Sequence, residues 1–206
     1  VKKTDKFEIR IHLNEKNKTI TIQDNGIGMD ENDMQANLGT IAKSGTEDFI
    51  KKLGDKKGDI NQIGKFGVGF YSSFMVSDQV VVRSKKYDSS SSYLWTSDGK
   101  GTFSIEPTEF NMSGTEITLS IKKDEGEFLS KYRIEEIVKK YSDFVPFPIF
   151  VTSEEDKKEK KDKEEKEEQV NSAEAIWLKD KTKIKEDEYK SFFNQTSTYY
   201  DEPLQT

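Results

Sequence analysis

Between Ser153 and Gln169 the chain runs for seventeen residues with fifteen charges and no apolar side chain. Such a stretch has nothing to bury and cannot belong to a core, so it reads as a solvated linker or a disordered loop. The main core must therefore come from the residues before it, a length that suits one ordinary domain. The tract holds six Lys and nine acids of the chain's 33 basic and 39 acidic residues, so without it the net charge moves only from −6 to −3. Neither value supplies the positive field that phosphate-backbone binding needs, which argues against a general nucleic-acid partner. There is no Cys and a single His, His12. Disulfide scaffolds, thiolate metal sites and Cys nucleophiles are excluded, and a His-based metal cluster or a Ser-His-Asp hydrolase is implausible. No apolar run nears the ~20 residues of a spanning helix, and no charged-then-apolar leader opens the chain. A reducing, cytoplasmic setting without membrane attachment is expected. The sequence opens on Val1 inside what reads as folded material, which suggests a fragment.

Alternation of apolar and polar residues predicts strands at Phe7–Leu13 and Thr19–Gln23, joined by a polar connection of hairpin length. Asp30 is placed to cap a helix carrying Met34, Asn37 and Leu38. Thr46 could open another short helix, ending at Gly54. A β reading returns from Met75, with Val80–Val82, then Tyr93–Thr96 and Thr102–Ile105 around a Gly99-Lys100-Gly101 turn, then Glu116–Ile121. Lys131–Tyr141 places Ile134, Ile137, Val138 and Tyr141 on one helical face. Pro146 and Pro148 impose an extended exit. Beyond the charged tract, Ala175–Leu178 regains strand character and Glu186–Gln195 is helical, the start of a second unit. This order predicts an α+β two-layer sandwich, not a regular βαβ alternation. The expected division is 1–152, a linker over 153–170, and a second unit over 171–206.

Four segments can carry chemistry. Asp24-Asn25-Gly26-Ile27-Gly28-Met29 puts a carboxylate at a strand end, followed by glycines that admit a flat ring close to backbone. Ionised Asp only accepts hydrogen bonds, so its natural partner is an amino group such as that of adenine. Met29 offers a polarisable wall; the competing reading is an ordinary turn. Gly64-Lys65-Phe66-Gly67-Val68-Gly69-Phe70 can aim successive N–H groups at an anion, although it is neither a Walker A loop nor a dinucleotide fingerprint. Asn37 with Leu38–Thr46 offers a side-chain amide for a sugar hydroxyl and a Lys, Lys43, for phosphate, where a solvated charge is the plainer reading. Thr115 opens a strand, and its hydroxyl can act through a bridging water.

In this order the four segments resemble the nucleotide site of the GHKL ATPases, the superfamily of gyrase, heat-shock chaperones, histidine kinases and MutL. Asn37–Thr46 and Ile63–Ser72 are similar to the ninety-kilodalton heat-shock chaperones. The likeness continues through Lys139–Phe144, the charged linker, Ala175-Ile176-Trp177, Glu188–Phe193 and Asp201–Leu204, the last two closest to the bacterial HtpG type. The resemblance implies a Bergerat-type ATP-binding domain followed by a linker and the beginning of a middle domain. It also implies an ATP-dependent, stress-responsive chaperone that assists folding as a homodimeric clamp. Clients and co-chaperones would be its partners, with ATP/ADP and Mg²⁺ as cofactors.

By the same resemblance, Asp24 holds the adenine amino group with Thr115 joining through water, and Gly28 and Met29 form the adenine wall. Asn37 lies near the ribose and Lys43 near the phosphates. Gly64, Gly67, Val68, Gly69 and Phe70 form the loop that receives the phosphates, and 39–65 form a lid. The family's first strand, and a helix with a general-base Glu and a magnesium-binding Asn, are expected before Val1, and a middle-domain Arg beyond Thr206. The chain is thus expected to be an interior, N-terminally truncated piece of an ATPase, with binding residues, no catalytic residue and no metal ligand of its own. The alternatives are a nucleotide-binding module without turnover and a GHKL-type sensor kinase. The kinase needs a phospho-accepting His on a helix, whereas His12 falls in a predicted strand.

Overall fold

The computed structural model describes residues 6–39, 68–154, 167–173, 182 and 184–196. The predicted elements at 46–54 and 175–178, and the glycine-rich segment up to Gly67, lie outside them. The described strands are β1 (Ile9–Asn14), β2 (Thr19–Asp24), β3 (Ser77–Lys85), β4 (Ser92–Ser97), β5 (Phe103–Thr108), β6 (Gly114–Ile121) and β7 (Ile149–Ser153). They form one sheet in the order β5-β4-β3-β6-β2-β1-β7, antiparallel except where β7 runs parallel to β1. The described helices are α1 (Glu31–Leu38), the short α2 (Ser73–Val76), α3 (Lys131–Tyr141) and α4 (Glu186–Thr196). A mostly antiparallel sheet with helices inserted between its strands, α1 and α3 packing on it, gives the α+β class that the alternation predicts.

Strand register sorts the side chains into rows. Val151, Ile11, Ile22, Ile117, Val82, Trp95 and Ile105 lie side by side across all seven strands. Together with Leu13, Ile20, Leu119 and Val80 of the next row, they form the wall on which the helices pack. The opposite face carries His12, Thr21, Thr118, Arg83 and Glu116, the residues between. Period-two alternation thus makes one dry face and one wet one. α1 lies over β4 and β5 and buries Met34 and Leu38, while α3 lies against β7 and buries Ile134 and Val138. Tyr141 departs from the expected face: it is 72% exposed at the end of α3, with Lys140 Nζ 5.2 Å from its ring centre.

The predicted β segment beginning at Met75 starts instead at Ser77, because Ser73–Val76 closes one helical turn. Three serines drive this by donating back to carbonyls: Ser72 to Gly69, Ser73 to Phe70 and Ser77 to Ser73. Lys122 Nζ then satisfies the carbonyls of Phe74 and Met75, each at 2.9 Å.

After the charged tract, Gln169 bridges to Phe150 of β7, and Val170 donates to the Ile149 carbonyl. Asn171 is almost fully buried there. Its side chain accepts from Ile149 N–H and donates to the carbonyls of Val145 and Phe147. Ser172 holds both oxygens of Asp143, and Glu167 pairs with Arg10 of β1.

Candidate functional site

One row on the dry face is not apolar. Across the sheet it reads Ile149, Ile9, Asp24, Thr115, Ser84, Tyr93 and Pro107. Three adjacent polar side chains, from β2, β6 and β3, therefore close one end of the apolar wall. A folding chain gains nothing by placing a carboxylate and two hydroxyls there unless they serve a ligand or one another. Burial pushes the Asp24 carboxyl above its ordinary range, against the lowering pull of backbone N–H groups from Gly26 and Thr115. The Gly26 bond to Oδ1 is 2.8 Å. The result is a half-buried acceptor with lone pairs to spare.

The loop after Asp24 is pinned over this row. Tyr87 N–H donates to the Ile27 carbonyl at 2.8 Å, and Met29 N–H to Ser84 Oγ at 2.8 Å. Gly28 has φ +63°, and a Cβ there would lie 2.0 Å from the Lys85 carbonyl oxygen. Gly114 has φ +128°, and its Cβ would lie 2.2 Å from the Asp24 carbonyl oxygen. Both positions require glycine, and the first lets the loop lie flat on the end of β3. Asp30 then caps α1 through a capping box with Asp33. Lys86 Nζ reaches both carboxylates at 2.6 and 2.7 Å, which lowers the Asp30 pKa and raises that of Lys86.

Asp24, Gly28, Met29 and Thr115 are thus brought together. Asn37 sits half-buried in the last turn of α1. Val68, Gly69 and Phe70 lie at a 3-10 turn spanning Gly69–Ser72, tied to the end of α1 by a 3.0 Å bond from Tyr71 Oη to the Leu38 carbonyl. Phe70 packs edge-on against Trp95, and Trp95 stacks on Phe103. Lys43, Gly64 and Gly67 lie outside the described residues. Sequence reasoning missed Ser84 and Lys86. Ser84 had a readable signal, a polar residue at the third step of the core-facing series Val80, Val82, Ser84; Lys86 had none.

Residues 3–128 match the family described as Histidine kinase-, DNA gyrase B-, and HSP90-like ATPase, and residues 151–206 match Hsp90 protein. The chain is 50% identical over 197 residues to the chaperone protein HtpG of Wolinella succinogenes, covering 95% of this chain and 32% of that protein. It is 48% identical over 203 residues to HtpG of Helicobacter pylori, covering 95% and 33%. Against HtpG of Roseobacter denitrificans it is 44% identical over 200 residues, covering 97% and 30%. The chain spans about a third of the length of the curated relatives it matches. Asp24, Thr115 and Ser84 of that row, with the loop pinned above them, fall within the first of the family matches, and the chain belongs to the histidine kinase-, DNA gyrase B- and HSP90-like ATPases.

Proposed function

We propose that the chain is the ATP-binding region of an ATP-dependent chaperone acting on client proteins as a homodimeric clamp in the cytoplasm. The observation that carries the reading is the Asp24 carboxylate beside the Thr115 hydroxyl, at the end of the sheet where the loop of Gly28 and Met29 is pinned. An amino-bearing ring fits that chemistry. Its donor meets a carboxylate that can only accept, and its face lies against a backbone without Cβ and a thioether. Asn37, Lys43 and the loop of Gly64, Gly67, Val68, Gly69 and Phe70 are assigned to the sugar and phosphates. Among the described residues no three His, Asp or Glu side chains gather for a metal. Mg²⁺, held with the phosphates, is proposed for the complete protein on the family resemblance. The names of the HtpG relatives support the chaperone role. Co-chaperones follow only by that likeness.

Calorimetric titration with ADP tests the site. Asp24→Asn replaces an ionised acceptor by an amide, and loss of a charge-assisted bond costs roughly 1.5–3 kcal/mol, one to two decades of affinity. An unchanged dissociation constant would remove the adenine assignment. We further propose that residues 1–206 bind nucleotide without turning it over, since the general base implied by the family resemblance is not assigned to any of them. Hydrolysis by this chain at the rate of the longer protein would overturn that second reading.

A further inference from the structure

Ser84 is fully buried, and its hydroxyl has three partners. It lies 2.7 Å from the Gly114 carbonyl oxygen, 2.8 Å from Met29 N and 3.0 Å from Thr115 Oγ1. A hydroxyl owns one hydrogen and two lone pairs. A carbonyl oxygen can only accept, so the Ser84 hydrogen goes to Gly114. An N–H can only donate, so Met29 takes one lone pair. The remaining contact has a single solution: Thr115 donates to Ser84. The only hydroxyl hydrogen of Thr115 is thereby committed, and Thr115 faces the site as an acceptor.

From this we propose that Ser84 is a positioning residue that fixes the hydrogen-bond polarity of the site and makes it select a purine with a 6-amino group over one with a 6-oxo group. The proposal rests on the adenine reading above and deepens it. With Thr115 locked, both side chains beside the ring, Asp24 and Thr115, accept. A ligand that contacts them directly must donate. A water bridging them spends both hydrogens on the pair and meets the ligand with a lone pair, so it too asks for a donor. Adenine supplies an N–H at position 6; hypoxanthine supplies a carbonyl there, lone pair against lone pair. Ser84 touches no ligand in this scheme and acts through Thr115. Without it the Thr115 hydrogen is released and can turn toward a 6-oxo group.

The test measures dissociation constants of ADP and inosine diphosphate for the unsubstituted chain, Ser84→Ala, Ser84→Thr, Thr115→Val and the double variant Ser84→Ala with Thr115→Val. The preference for ADP over inosine diphosphate should fall about tenfold in Ser84→Ala, the equivalent of one neutral hydrogen bond. Ser84→Thr keeps a hydroxyl and should retain the preference. In the Thr115→Val background, Ser84→Ala should leave the ratio unchanged, because the group it acts through is gone. A merely structural serine would weaken both ligands alike. An unchanged ratio in Ser84→Ala, or an equal fall with and without Thr115, overturns the proposal. If Ser84→Ala does not fold, Ser84→Cys keeps the volume with a much weaker acceptor and should show the same fall in ratio. Failure of the unsubstituted chain to bind ADP overturns the adenine reading itself, a different result from binding without the polarity effect.

Discussion

Asp24 shows how a residue proposed to bind a ligand strains against the fold that holds it. Its carboxyl is pushed up from the ordinary 3.8 chiefly by burial, so the folded chain holds that proton more tightly than the unfolded one. Stability therefore falls as pH rises from 3.8 through the raised value, and the full cost is present at neutral pH. Asp24→Asn should be more stable than the unsubstituted chain at neutral pH in urea titration, the gain shrinking toward pH 3.8, while it binds ADP less well. Equal urea midpoints at neutral pH would mean that the charge costs the fold nothing. Gly28 is constrained from the other side. Gly28→Ala demands a left-handed alanine and drives its Cβ into the Lys85 carbonyl. It should cost more than about 2 kcal/mol and lift the loop from the site, read as a lowered melting temperature together with lost ADP affinity.

At the scale of elements, β1 to β6 and α3 were legible because period-two alternation and a 3.6-residue stripe each leave one dry face, whereas β7 was legible only as an extended exit. Helix α1 was legible from its cap, Asp30, although only Met34 and Leu38 are buried. What escaped reading was set by contacts between distant segments. The carbonyls of Phe74 and Met75, at the end of the serine-driven turn, are satisfied by Lys122, far along the chain, and the polarity of Thr115 depends on Ser84. Asp24 and Thr115 were named from their own chemistry and joined in one site only through family likeness; alternation alone shows a polar residue at an inward position without saying what it meets. The segment beyond the charged tract is of the same kind, since nothing local in Asn171 announces three bonds to the approach of β7. Asn171→Ala leaves a buried N–H and two carbonyls without their partner and should lower stability by about 1–3 kcal/mol, measured by urea titration. Limited trypsin digestion should cut first between Lys157 and Lys166, where no apolar residue anchors the chain. The contacts of Gln169–Ser172 should keep the two pieces together in gel filtration under native conditions. First cuts within β1, β2 or β6 would contradict the domain assignment.

Taken whole, the molecule closes its sheet with its most distant partners. β1 begins at Ile9 and lies beside β7, which ends at Ser153, and His12 meets Thr152 through a 3.0 Å contact between side chains 140 residues apart. Arg10 reaches further still, to Glu167. During synthesis at roughly 5–20 residues per second, β1 and β2 leave the ribosome on the order of ten seconds before β7 exists. The hairpin's outer edge spends that interval without its parallel neighbour, a strand template open to other nascent chains. Stalled chains ending before Ile149 should therefore associate more readily than chains stalled well beyond Ser172, by co-sedimentation of released material. A protein of a family that includes folding helpers is, by the path of its own strands, exposed to misassociation until nearly all of this region has been made.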